Sequence, residues 1–205
     1  MKKQNYNSYL QSTNLIQSKD RSILEAVRIV IGNSISKNEI ARKLFYFIRD
    51  DIRYQFIPQF DEINHLASKI LSRRRGYCTQ KAILFCSMAR AAGIPAGIHF
   101  FDIIDHALPP RSKEILKTNR LYHHGITSLH LEDNWIKFDA TLDLKLCQRN
   151  GLKPVEFAEN HDCLMPTTTI KGHPHIEYVE DFGLYHDVAF EDILNWFKSG
   201  YPHMF

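Results

Sequence analysis

The stretch Arg73–Pro95 reads R-R-R-G-Y-C-T-Q-K-A-I-L-F-C-S-M-A-R-A-A-G-I-P, and the fold is decided there. From Ala82 onward, Ile83, Leu84, Phe85, Met88, Ala89, Ala91 and Ala92 are strong helix formers that present apolar side chains almost all round. A helix that is apolar on every side is a buried one. Gly93 and Pro95 stop it, because glycine takes the left-handed cap and proline cannot continue the ladder. Cys78 therefore stands in or just before the first turn, where unpaired backbone N–H groups and the helix dipole favour an anion. Such surroundings lower a thiol pKa and make a nucleophile. A lone cysteine is usually a small buried hydrophobe, so a catalytic reading depends on partners elsewhere in the chain.

Upstream, Ile23, Leu24, Val27, Val30 and Ile31 recur at helical spacing and Gly32-Asn33 closes the run. Ser36-x-x-Glu39 has the form of a capping box opening a second helix, whose buried stripe is Ile40, Leu44, Phe45, Phe47 and Ile48. Ile52–Ile57 is strand-like up to Pro58, and a short helix over Leu66–Leu71 delivers the chain to the Cys78 turn. Residues 1–18 are polar and weakly patterned, a strap on the domain. Downstream, Ala96–Ile104 reads as a buried strand, 105–120 as loop, and Tyr122–Leu131 and Trp135–Thr141 as two more strands. Asp143–Gly183 is irregular and rich in Pro, His and Thr, and Phe190–Phe197 is a final amphipathic helix before Gly200 and Pro202. Helices first and sheet later predict one α+β domain over 1–205, with a core of about 20–141 and a C-terminal extension of about 142–205.

Composition narrows the function classes. A chain of 205 residues with 44% hydrophobic and 24% charged residues is ordinary globular protein. A net charge of +3 is too small and dispersed to point to nucleic acid, and Arg73–Arg75 reads as a solvated turn. No apolar run follows the first lysines, none approaches a membrane span, and the four cysteines show no paired spacing. The expectation is a cytoplasmic protein with reduced thiols and no membrane partner. His161-x-Cys163 and His173-x-His175 lack the spacing of a zinc module, and no cofactor is implied.

A cysteine nucleophile needs a base and a group that orients the base. If Glu132-Asp133 form a tight two-residue turn, Leu131 faces Asn134, Asp139 falls opposite Ile126, and Asp139 lies diagonal to His124 on one face, within reach. Thr127, Leu129, Leu131, Ile136 and Phe138 then share the other face. A turn at Asp133-Asn134 would instead set Asp139 against Ser128. His123 is the rival base, but neighbouring strand residues point opposite ways, so only one of the two can meet Cys78. His130 shares the His124 face further along, as a wall or surface residue. Cys86, about 80° round the helix from Cys78, belongs to the core.

Gly76-Tyr77-Cys78-Thr79-Gln80-Lys81-Ala82, Arg90-Ala-Ala-Gly-Ile-Pro95, His124-Gly125 and Trp135-Ile-Lys-Phe-Asp139-Ala-Thr141 together resemble the transglutaminase-like superfamily, and its bacterial members of about this length most closely. The similarity runs from about Lys43 to Thr141, and Ile176–Gly183 extends it. Three blocks in the right order make the signal specific. The resemblance implies a papain-like fold in which the Cys78 helix packs on an antiparallel sheet bearing His124 and Asp139. Ile126 and Ser128 depart from the family's aromatic and glutamate after the histidine, and Ala140 replaces the proline of Asp-Pro-Thr.

By this resemblance Cys78 would attack the carbonyl of a peptide or protein amide, His124 would carry the proton, and Asp139 would orient the imidazole. The Cys78 N–H would meet the oxyanion, with Tyr54 and Gln59 as candidates for a second donor. Hydrolysis is favoured over amine transfer, since water is always at hand. Two alternatives stand beside it: a catalytically idle module that binds peptides or proteins, and an arylamine acyltransferase.

Overall fold

Asp20 opens the first helix by accepting the Ser22 and Ile23 backbone N–H groups, as an N-cap carboxylate does. The computed structural model, which describes residues 6–56 and 60–205, places this helix, α1, at Arg21–Ile31 and the next, α2, at Lys37–Tyr46. The capping box expected of Ser36 and Glu39 does not form. The Ser36 side chain caps nothing, and Glu39 lies 3.5 Å from Lys43, one turn on along the same face. A π-type turn over Phe47–Asp51 carries α2 on to Ile52. The strand expected over 52–57 shrinks to β1 (Arg53–Tyr54); residues 57–59, Gln59 among them, lie outside the described residues.

Helix α3 (Ala67–Arg73) ends on Arg74 in the left-handed region, and β2 (Arg75–Gly76) pairs in parallel with β1. Arg73 is not the solvated residue that the sequence suggests. It is half-buried and donates to Asn64 Oδ1, Asn64 O and Arg75 O, bracing the turn that presents Cys78. Tyr77 and Gln80 then close a capping box at the start of α4 (Cys78–Ala91), in which every residue from Thr79 to Arg90 is buried. The N-terminal strap is tied down at the other end of α4, where Arg90 donates to Gln11 O and Leu15 and Ile16 are buried.

After Gly93 (φ 76°) comes β3 (Ala96–Asp105). The segment 105–120, loop-like in sequence, contains α5 (Pro110–Leu116). Its proline sits in the first turn, where a missing N–H costs nothing, so Pro109-Pro110 starts a helix rather than breaking one. The chain continues through β4 (Arg120–Leu131), β5 (Asn134–Phe138), α6 (Leu144–Asn150), β6 (Ile176–Tyr185) and α7 (Phe190–Gly200).

The strands β5-β4-β3-β6 form one antiparallel sheet. Thr127 faces Phe138 and Leu131 faces Asn134, which is the register derived above. The turn residues Glu132 (φ 46°) and Asp133 (φ 67°) are both left-handed, as a two-residue turn matching strand twist requires. β6 falls in the stretch that the sequence presents as irregular. It is an edge strand, exposed or only half-buried beyond Ile176, and its alternation is correspondingly weak.

Helix α4 packs on the face carrying Thr127 and Phe138. Thr127 Oγ1 donates to Ala82 O at 3.1 Å, and the Phe85 and Phe138 rings lie 6.3 Å apart. Helices α1, α2 and α3 cover more of α4, and α7 leans on β4.

A side chain at φ 67° is strained by its Cβ, so Asp133→Gly is expected to stabilise the protein by about 0.5–1 kcal/mol net of glycine's entropy cost. The urea midpoint should rise with m unchanged. A lower midpoint would mean that Asp133 is not held in that conformation.

Candidate active site

Cys78 is the first residue of α4 and is half-buried. Thr79 Oγ1 lies 3.9 Å from its sulfur, and the Gly125 N–H is aimed at it from β4. A Cβ on Gly125 would stand 3.1 Å from Thr79 Cα and Oγ1, so a side chain there would need the start of the helix to give by a few tenths of an ångström.

His124, the neighbour of Gly125, is 2% exposed, and its Nε2 lies 2.8 Å from Asp139 Oδ2. Its Nδ1 is buried without a fully formed bond, and the Cys78 thiol is the group left for it. Such contacts tighten when substrate arrives. Asp139 also accepts the Tyr178 hydroxyl at 2.9 Å and the Thr141 N–H at 3.2 Å, while its own N–H is held by Cys163 O at 2.8 Å. Cys78, His124 and Asp139 thus lie in one cluster.

Burial opposes charge on all three groups, and their mutual interactions outweigh it. Desolvation raises the Cys78 pKa, but the His124 charge and hydrogen bond, the Gly125 N–H and the Thr79 hydroxyl bring it below the ordinary thiol value. Desolvation lowers His124, yet Asp139 and Cys78 push it up to about 10. Asp139 is held below its usual value, the effect of burial being overcome by His124, Thr141 and Tyr178.

His123 breaks the alternation rule. Its φ is 50°, and the β3–β4 register slips between Phe101 and Ile103, the mark of a bulge. The Asp102 carboxylate fills the gap, accepting the His123 N–H at 2.8 Å and the Arg120 guanidinium at 2.9 Å. Both histidines consequently line the same cavity, although only His124 acts on Cys78. Their roles still differ, because the His123 ring is sandwiched between Phe182 at 4.2 Å and Trp196 at 4.5 Å. It forms a wall. His130 packs at a tilt against Tyr6, 4.0 Å between rings, and Cys86 is buried with its thiol pushed up to about 11.

The cavity in front of Cys78 measures about 240 Å³. Its walls are mostly apolar: Ile193, Trp196 and Phe197 of α7 with Tyr201 beyond it, Leu116 of α5, Leu146 of α6, and Tyr54, Phe56 and Tyr77 near the thiol. Among the described residues no three His, Cys, Asp or Glu side chains gather as a metal site would need. No helix among them is long and apolar enough to cross a membrane.

Residues 26–140, more than half of the 205, match the family model of the transglutaminase-like superfamily. The chain belongs to that superfamily. Among solved structures, a candidate cysteine protease from Cytophaga hutchinsonii superposes with a TM-score of 0.53 at 18% identity, over 87% of this chain and 46% of its own. Arylamine N-acetyltransferase from Salmonella typhimurium gives 0.52 at 17% identity, over 89% of this chain and 71% of its own. These likenesses show the papain-like fold. The chain spans less than half the length of the Cytophaga protein. No curated protein matches the sequence.

The places where this transglutaminase-like chain departs from the family pattern prove to be core. Ile126 and Ser128 are 2% and 1% exposed, and neither lines the cavity before Cys78. Two residues that matter escape sequence reasoning. Tyr178 lies on the unforeseen strand β6, inside the Ile176–Gly183 segment that extends the resemblance, but nothing in that segment points to a bond with Asp139. Lys81, one turn after Cys78, looks like a surface residue but is 1% exposed, and its Nζ donates to Arg49 O at 3.1 Å and Thr141 O at 2.7 Å. Through Thr141 it fixes the turn that follows Asp139.

Burial pulls the Lys81 pKa from 10.5 down to about 7, so the folded state binds its proton less well than the unfolded state does. A group with a depressed folded pKa contributes least below that value and gains as pH rises toward the unfolded one. From about pH 7 to 10.5 the wild type should gain on the order of 4 kcal/mol relative to Lys81→Met, read from urea titrations of both proteins at each pH. Parallel stability curves would mean that Lys81 is not desolvated. Tyr178→Phe, which removes one hydrogen bond to a buried carboxylate, should cost about 2 kcal/mol in the same assay.

Proposed function

We propose that the protein is a thiol-dependent hydrolase of amide or peptide bonds, with Cys78 as nucleophile, His124 as proton carrier and Asp139 as its orienting carboxylate. The observation that carries this reading is a fully buried imidazole bonded to Asp139 at 2.8 Å on Nε2, with its other nitrogen left to a thiol at a helix N-terminus. A core histidine with only a structural role has no need of a buried carboxylate on one side and a thiol on the other.

In the resting state the proton sits on His124 and Cys78 is a thiolate. The thiolate attacks the substrate carbonyl, forming a C–S bond while the carbonyl π-electrons move to oxygen. The oxyanion is met by the Cys78 N–H, unpaired in the first helical turn. The Tyr54 hydroxyl, whose ring lines the same cavity, is the second donor. As the C–N bond breaks, His124 gives its proton to the leaving amine and a thioester remains. His124, now neutral, takes a proton from water, whose oxygen attacks the thioester. The acid leaves, and the proton on His124 restores the ion pair. Asp139 stabilises the imidazolium and fixes Nε2 as the donor to itself, which keeps Nδ1 turned to the sulfur.

The pair exists between the lowered Cys78 pKa and the raised His124 pKa of about 10, a window that opens below the ordinary thiol value. Alkylation of Cys78 by iodoacetamide, followed by mass spectrometry from about pH 4 to pH 10, should titrate well below the ordinary thiol value of about 8.5. In His124→Ala the midpoint should rise by at least one pH unit. A Cys78 that titrates as a free thiol in the wild type, or is unmoved by the variant, would defeat the reading.

A further inference from the structure

The reaction leaves one carboxylate in the cavity unused. Asp105, the last residue of β3, lines the same space as Cys78 and His124. Its Oδ1 accepts the Ala107 N–H at 2.9 Å. Its Oδ2 takes no hydrogen bond, and the residue joins no ion pair among those described. The titratable neighbours are His175, His124 and His106. None of them is a free countercharge. His175 is 1% exposed and burial lowers its pKa, which keeps it neutral near pH 7. His124 is committed to Asp139, and His106 is turned to Glu177 at 3.4 Å.

Asp105 is half-buried, and a carboxylate drawn partly out of water beside apolar walls gains from a cation placed against it. The surrounding walls suit a cation. Tyr54, Phe56, Tyr122, Trp196 and Tyr201 offer rings around the same space, and an ammonium gains both from ring faces and from a carboxylate where water is scarce. At about 240 Å³ the cavity has room only for a compact group. Asp105 and Cys78 line one cavity of this size, so a cation held by Asp105 would share it with the carbonyl that the thiol would meet.

We propose that Asp105 and the aromatic wall form a subsite for a protonated amine carried by the substrate close to its scissile amide. The inference rests on the reading of this cavity as the place of reaction. It makes the favoured substrate a small aminoacyl amide with a free ammonium group, and it disfavours the same compound once that amine is acylated.

Binding tests this without catalysis. Phenethylamine and neutral 2-phenylethanol have nearly the same shape and differ in charge. Isothermal titration of the wild type near pH 7 should show the amine binding at least tenfold more tightly, a difference of about 1.4 kcal/mol. Asp105→Asn should bring the two affinities together while leaving that of the alcohol unchanged, and Asp105→Glu should keep part of the preference. Equal affinities in the wild type, no amine binding at millimolar concentration, or a preference that survives in a folded Asp105→Asn each overturn the subsite. Should Asp105→Asn fail to fold by circular dichroism, a weakened but retained preference in Asp105→Glu supports the subsite, and a preference unchanged from the wild type refutes it. The alkylation profile of Cys78 separates the two claims. An ordinary thiol titration with intact amine preference removes the catalytic reading alone, and a lowered titration with no preference removes the subsite alone.

Discussion

A single carboxylate, Asp139, holds together parts of the chain that nothing else joins at this point. His124 Nε2 comes from β4, the Tyr178 hydroxyl from β6, and the Thr141 N–H from the turn after β5, all within 3.2 Å of its oxygens. With its side chain fully out of water, the carboxylate must be compensated by its neighbours or take up a proton. Two neutral donors and one imidazole provide that compensation. The same arrangement forces charge onto His124, and that charge in turn lowers the thiol pKa. The electrostatics of the whole cluster thus follow from the position of one acidic side chain at the end of a strand.

The sequence carries that position because the Glu132-Asp133 turn fixes the pairing of β4 with β5, and the turn admits only one register in which the apolar residues share a face. The buried helix is legible for the same reason: a continuous apolar surface and a Gly-x-Pro stop leave little choice. What misleads is local chemistry that the tertiary structure overrides. Ser36 and Glu39 have the letters of a capping box, but Glu39 has Lys43 one turn along. Pro109-Pro110 looks like a break, although proline is at home in the first turn of a helix. β6 hides because an exposed edge strand does not alternate strongly, and Arg73 hides because a charged triplet is normally solvated.

The bulge at His123 shows where a correct rule reaches its limit. Alternation holds in an unbroken ladder, and His124, Gly125 and Thr127 obey it. One residue earlier the backbone enters the left-handed region and both histidines turn to the cavity. Nothing in the letters His123-His124 announces this. The compensating group, Asp102, is on the neighbouring strand, and the sandwiching rings of Phe182 and Trp196 come from the far end of the sequence.

That distribution bears on how far relatives can inform this chain. The family match ends at residue 140, and it covers Cys78, His124 and Asp139. Tyr178, which bonds Asp139, and Trp196, Phe197 and Tyr201, which wall the cavity, all lie beyond it. The matched span holds Cys78, His124 and Asp139, whereas much of the cavity wall comes from the last third of the chain. A neighbour that shares the fold at 17% or 18% identity shows the fold alone. The shape and charge of this cavity, with its ring walls and its unpaired Asp105, have to be read from these residues themselves.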